Sequence, residues 1–137
     1  MATKTFVDTS GFYALLVTKD DMHRRARDFL TEAAQARALF VTSDYVLDET
    51  ATLLKVRGHA SLLPELFDSV LHSRACRVER VDPGRFSRTQ EMFLRHEDKL
   101  WSFTDCSSFV LMKELRIRQA LTKDEHFSQA GFISLLA

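Results

Sequence analysis

An α/β fold with a central, mostly parallel sheet is what the order of segments in this chain predicts. Two observations lead there. Short apolar runs alternate along the chain with longer segments of helical periodicity, and strands joined through helices pair in parallel with helices on both faces. The chain of 137 residues also shows no internal repeat, low-complexity tract or charge block, so residues 1–137 are expected to form a single domain around one core.

The first expected strand is Thr5-Phe6-Val7, ending at Asp8. From Asp21 to Ala38, Met22, Ala26, Phe29, Leu30, Ala33 and Ala34 recur at helical spacing, and Asp20-Asp21 are placed to cap that helix. Leu39-Phe40-Val41-Thr42 reads as a buried strand. Ser43 or Asp44 can cap the next helix, which runs on through Val46, Leu47, Leu53 and Leu54 to a stop at Gly58. Helices are expected from about Ala60 to Arg74 and from Pro83 to Glu97, with Pro83 in a first turn. Between them the alternating segment from Cys76 to Val81 reads as a sheet strand. A helix begins at Thr104 or Asp105 and continues through Phe109, Met112 and Leu115. Gln119–Thr122 and Phe132–Leu136 are the last expected strands.

Composition excludes several classes. Lys+Arg and Asp+Glu are 19 each, for a net charge of zero, so bulk positive charge is not the means of any nucleic-acid binding. Four glycines and two prolines are too few for a fibrous or disordered chain. Apolar runs such as Phe109-Val110-Leu111-Met112 fall far short of the roughly 18 residues that span a bilayer. Residues 1–8 reach an acid after two apolar residues, unlike a secretory leader. Cys76 and Cys106 lack CxxC spacing, and the expected compartment is the reducing cytoplasm.

In parallel sheets ligands bind beyond the carboxyl ends of the strands. Asp8 and Asp124 follow expected strands there, Asp105 lies in a first helical turn, and Glu49 projects from the first half of a helix. Carboxylates at such places are costly unless paired, hydrogen-bonded or metal-bound. A divalent cation relieves their mutual repulsion, and an all-oxygen donor set favours Mg²⁺ or Mn²⁺ over zinc. One or two such ions can activate water and stabilise a leaving oxygen in phosphodiester hydrolysis. A strand-end Asp is also often a plain helix cap or turn residue.

The residues around these acids narrow the choice. Phe6-Val7-Asp8-Thr9-Ser10-Gly11-Phe12-Tyr13-Ala14-Leu15-Leu16 resembles the opening of PIN-domain nucleases, and Thr42-Ser43-Asp44-Tyr45-Val46-Leu47-Asp48-Glu49-Thr50 resembles their second strand and following helix. Ser102-Phe103-Thr104-Asp105-Cys106-Ser107-Ser108-Phe109 is similar to the third acidic motif. Ala120-Leu121-Thr122-Lys123-Asp124-Glu125-His126-Phe127 is similar to the closing one. The resemblance covers essentially the whole chain in order. It implies a three-layer, Rossmann-like α/β/α fold and a metal-dependent endoribonuclease using Mg²⁺ or Mn²⁺, the VapC-type toxin of a toxin–antitoxin pair. It further implies an RNA substrate, a small cognate antitoxin, a homodimer, and Asp8, Glu49, Asp105 and Asp124 as catalytic metal ligands. Ser10, Thr104 and Thr122 match hydroxyls that hydrogen-bond to the carboxylates.

Plainer roles compete at several positions. Ser10 can cap a helix beginning near Gly11, and Thr104 the helix that follows it. Asp48 points about 100° away from Glu49 on a helix and is expected to face solvent. The histidines His23, His59, His72, His96 and His126 form no zinc motif, and His126 is expected in a surface or supporting role. Cys106 reads as a buried structural thiol, and Trp101 as core or dimer interface. Arg24, Arg25 and Arg27, like Arg74, Arg77 and Arg80, are either solvated charge on a helix and an edge strand or contacts for RNA or antitoxin.

Rival readings fit less well. A haloacid-dehalogenase-type phosphohydrolase needs a second Asp where Ser10 stands, and a phospho-receiver needs a paired acid after the first strand. A housekeeping PIN nuclease and a catalytically silent PIN-fold binding module are the remaining alternatives, the latter opposed by the four intact acids.

Overall fold

The structure, a computed structural model, describes residues 3–137. Met1 and Ala2, where the expected domain and leaderless opening begin, lie outside the described residues. The strands are β1 (Lys4–Val7), β2 (Leu39–Ser43), β3 (Cys76–Glu79), β4 (Gln119–Leu121) and β5 (Ile133–Ser134), in the spatial order β3-β2-β1-β4-β5. All four pairings are parallel, as strand–helix alternation requires. The chain builds outward from β1 in both directions, so β1 and β4 flank the switch point beyond which α/β sheets open a crevice.

The helices are α1 (Thr9–Leu16), α2 (His23–Gln35), α3 (Asp44–Val56), α4 (Leu63–Leu71) after a 3₁₀ turn at Ala60–Leu62, α5 (Pro83–Arg95), α6 (Phe103–Glu114) and α7 (His126–Gln129). On one face α1, α2 and α4 meet over the sheet around an apolar cavity of about 290 Å³, lined in part by Phe12, Leu16, Leu30, Phe40 and Val70. The right-handed sense of parallel crossovers places the connections after the reversal on the opposite face. There α6 is buried from Asp105 through Met112. Phe6, Phe109, Leu111, Leu121 and Phe127 are wholly inaccessible, each worth about 1.5–3 kcal/mol of apolar burial.

Several expectations are corrected in detail. The segment after Asp8 is already a helix at Thr9, so Ser10 lies inside α1 and does not cap it. Asp20 accepts from the Met22 backbone N–H at 3.0 Å, but α2 starts only at His23. Asp20 and Asp21 are instead drawn to Lys123, whose Nζ lies 3.1 Å and 2.8 Å from them. Ser43 caps α3 by accepting from the Val46 N–H, whereas Asp44 accepts from Val81 N–H at 3.0 Å. That bond takes Val81 out of the ladder, and β3 ends at Glu79. Ser102, not Thr104, caps α6. The four-residue α7 is too short to show a helical period. At Gly58, φ is +81°; its N–H and that of His59 bond back to Lys55 and Leu54 and close α3.

One glycine fixes how α1 lies on the sheet. A Cβ on Gly11 would stand 2.0 Å from the Leu121 carbonyl oxygen of β4. Only a residue without a side chain allows this approach, which brings the start of α1 against the end of β4. Gly11→Ala is expected to lower stability by about 1–3 kcal/mol, the usual cost of overpacking, and more if the backbone contact cannot relax. Chemical denaturation monitored by circular dichroism measures the loss, and an unchanged midpoint would refute the close-approach argument.

Candidate active site

The site is built where β1 and β4 end. Asp8 follows β1 and is only 4% exposed, and Thr122 follows β4 with no exposure. Thr122 Oγ1 donates to Asp8 Oδ2 at 3.0 Å. Thr122 Oγ1 in turn accepts from the Asp124 backbone N–H at 3.0 Å. Ser10 Oγ lies 3.0 Å from Thr122 Oγ1 and accepts from the Lys123 N–H at 2.8 Å. A hydroxyl carries one proton. Thr122 spends its own on Asp8, so Ser10 must donate to Thr122. The result is a directed chain from the Lys123 amide through Ser10 and Thr122 to the Asp8 carboxylate.

The other acids reach the same end of the sheet from helices. Glu49 is exposed on α3 and accepts from Thr9 Oγ1 at 2.6 Å. It lines an open groove of about 480 Å³ with Thr9, Asp48, Leu53 and Thr104. Asp105 lies in the first turn of α6 in a reciprocal cap: its N–H donates to Ser102 Oγ, and Ser102 N–H donates to Asp105 Oδ2, each at 3.0 Å. Asp124 accepts from the His126 N–H at 2.9 Å. The His126 side chain then places Nδ1 3.2 Å from both Asp105 Oδ2 and Asp124 Oδ1.

Of the expected residues, Asp105 and Asp124 are brought together around His126. Each of the three offers a ligand atom within 4.8 Å of the others. Asp8 is within electrostatic reach of both Asp105 and Glu49. Ser10 and Thr122 support Asp8 as described, but Thr104 makes no side-chain hydrogen bond to a carboxylate among the described residues. Its carbonyl instead accepts from Ser107 and Ser108, and Thr9 supplies the hydroxyl to Glu49. Sequence reasoning missed Thr9 because α1 begins two residues earlier than expected, at Thr9 and not near Gly11, and adjacent helical residues diverge by about 100°. Asp48 is exposed, as read. Cys106 is wholly buried, and burial pushes its thiol up to about 11, which removes it as a nucleophile.

The electrostatics are those of crowded acid. Burial pushes the Asp8 carboxyl up to about 7, and the charges of Asp105 and Glu49 add to the rise against the opposing bonds from Thr9 and Thr122. Asp105 is raised as well, first by burial and then by Asp124, while Ser102 and His126 oppose the shift. Among the described residues no Lys or Arg pairs with any of the four acids, and Asp105 and Asp124 share His126 Nδ1 as a neighbour. A buried carboxyl without a cation is a costly arrangement. Donor atoms spread over 4.8 Å are close to the roughly 4.2 Å that separates opposite ligands of a small divalent ion. The residues present therefore fit a divalent metal.

This predicts a pH-dependent stability. Between pH 3.8 and about 7 the folded chain keeps a proton on Asp8 that the unfolded chain has released. That contribution is full below the unfolded value, is lost as pH rises to about 7, and is constant above it. Thermal melts in chelator-containing buffer should show stability falling across this window. In Asp8→Asn the fall should be distinctly shallower. Parallel pH profiles for the two proteins would remove Asp8 from this role.

The chain matches the PIN domain family over residues 5–133. It is 34% identical over 131 residues to the 23S rRNA-specific endonuclease VapC20 of Mycobacterium tuberculosis, covering 95% of this chain and 96% of that one. The crystal structure of M. tuberculosis VapC20, described there as a sarcin–ricin loop cleaving toxin, superposes with a TM-score of 0.85 at 33% identity, over 94% of this chain and 96% of that chain. With the strand order, the strand-end acids and these likenesses together, the chain belongs to the PIN-domain family as a VapC-type endoribonuclease toxin.

Proposed function

We propose that this toxin hydrolyses a phosphodiester bond of 23S ribosomal RNA with Mg²⁺ or Mn²⁺, at a site made by Asp8, Glu49, Asp105 and Asp124. The supporting observation is the buried Asp8 carboxyl, raised by Asp105 and Glu49 and lacking a Lys or Arg partner. The likeness to VapC20 supports the sarcin–ricin loop as the target. The same reading carries a cognate antitoxin, a homodimer, one domain over residues 1–137 and a cytoplasmic location. No helix among the described residues is long and apolar enough to cross a membrane.

Asp105 and Asp124 would hold the ion, with Asp8 and Glu49 beside them. When bound, a divalent ion of this kind lowers the pKa of water and stabilises the leaving oxygen. The protein's own groups set the geometry. Thr122 fixes Asp8, Ser102 fixes Asp105, and Thr9 fixes Glu49. Their hydroxyl and amide protons leave the remaining carboxylate lone pairs available to the reaction. The open groove along Glu49 and Thr104 would be the path of the nucleotide chain.

Purified protein with Mg²⁺ or Mn²⁺ should cut an RNA carrying the sarcin–ricin loop, and excess EDTA should stop it. Asp8→Asn and Asp105→Asn should each lower the rate by roughly 10²–10³-fold with circular dichroism unchanged. Full cleavage by both variants would sink the site assignment, while specific cleavage of a different RNA would change only the target. Thr122→Val, which keeps the shape but removes the bond to Asp8, should lower activity or metal affinity by roughly 10–100-fold. Titration with Mn²⁺ beside a rate assay reads both effects.

A further inference from the structure

We infer that His126 is itself a ligand of the metal site, and that its imidazole nitrogen turns the site toward a first-row transition ion such as Mn²⁺ and away from Mg²⁺. The inference rests on the metal-dependent reading above and deepens it. The tightest group of potential ligand atoms among the described residues is Asp105, Asp124 and His126, not the four acids. His126 Nδ1 stands equally far, 3.2 Å, from an oxygen of each of the two carboxylates. At 3.2 Å, Nδ1 can donate a hydrogen bond to Asp105 Oδ2 in the metal-free protein. With the ring proton on Nε2, the Nδ1 lone pair lies among the carboxylate oxygens as a third donor.

The side chain is also held there by the fold. His126 opens α7, and its backbone N–H is committed to Asp124 Oδ1 at 2.9 Å. Its neighbour Phe127 has no exposure and meets Phe109 edge to face at 4.9 Å between centroids. Phe109 lies one helical turn along α6 from Asp105. Anchored in the core on both sides, the imidazole and the two carboxylates keep their spacing without help from a ligand. The ring remains 27% exposed, so an ion can reach it.

Donor chemistry then decides the ion. Mg²⁺ is a hard cation that keeps oxygen ligands and water. Imidazole nitrogen favours transition ions, with affinity rising along the divalent first-row series from Mn²⁺. Replacing one oxygen of the expected all-carboxylate set by nitrogen therefore raises the preference for Mn²⁺ over Mg²⁺.

The test uses tag-free, metal-stripped protein and reads binding, not cleavage. Mn²⁺ is titrated by electron paramagnetic resonance, with and without competing Mg²⁺, and the bound ion is examined by electron spin-echo modulation. Wild type should show ¹⁴N modulation from a coordinated imidazole. His126→Ala should lose that modulation and reduce the Mn²⁺-over-Mg²⁺ preference by roughly 10-fold or more. His23, His59, His72 and His96 remain in the variant as internal controls. His126→Gln, polar but without the ring, should behave alike and replaces the alanine variant if that one does not fold. Bound Mn²⁺ without nitrogen modulation, or an unchanged preference in both variants, overturns the inference. In that case, loss of Mn²⁺ binding in Asp105→Asn still upholds the acidic site. Wild type that binds neither ion overturns both readings.

Discussion

The structure depends on a carboxylate that is buried before anything neutralises it. Asp8 sits at the end of the central strand, 4% exposed, with Asp105 and Glu49 close enough to push its proton affinity up. Burial alone would leave the carboxyl protonated near neutrality. The bonds from Thr122 and the Thr9 amide favour the ionised form without overcoming the desolvation. The surrounding fold holds an arrangement that is unfavourable by itself and that a divalent ion would complete.

That constraint explains features which otherwise look like local decoration. Gly11 lets α1 lie against the Leu121 carbonyl, which brings Ser10 to Thr122 and Lys123. The pair of Lys123 with Asp20 and Asp21 ties the loop after β4 to the turn before α2. Lys123 directly precedes Asp124, so this ion pair helps fix the chain where the fourth acid stands. The cap on Asp105 works in the same way: one oxygen closes a helix N-terminus while the group faces the other acids. Functional residues here are also structural ones, a coupling that ties activity to folded-state geometry.

Zero net charge fits this organisation. The acids gather at one end of the sheet, while the arginines spread elsewhere. Arg77 lies on edge strand β3 and pairs with Glu79 at 2.8 Å. Arg85 bridges β3 and α6 through Glu79 and Glu114. Arg24, Arg25 and Arg27 are exposed along α2, free of the salt bridges recorded among the described residues. Phosphate binding at such a site draws on the metal's charge more than on a cationic surface.

The sequence by itself determined the sheet's parallel character, the positions of the long helices and the identity of the strand-end acids. Those follow from hydrophobic periodicity and from motifs contiguous in the chain, such as Phe6-Val7-Asp8 and Thr122-Lys123-Asp124. Its placement of caps was less exact: Ser10 and Thr104 had the right chemistry for capping, but the helices began one or two residues earlier. Only tertiary structure decided which hydroxyl serves which carboxylate, because Thr122 and Asp8 are 114 residues apart and Thr9 and Glu49 are 40 apart. It also decided that His126, which belongs to no zinc motif in the chain, would stand between Asp105 and Asp124. Periodicity reports which face of an element is buried; long-range contact geometry arises only when the elements pack.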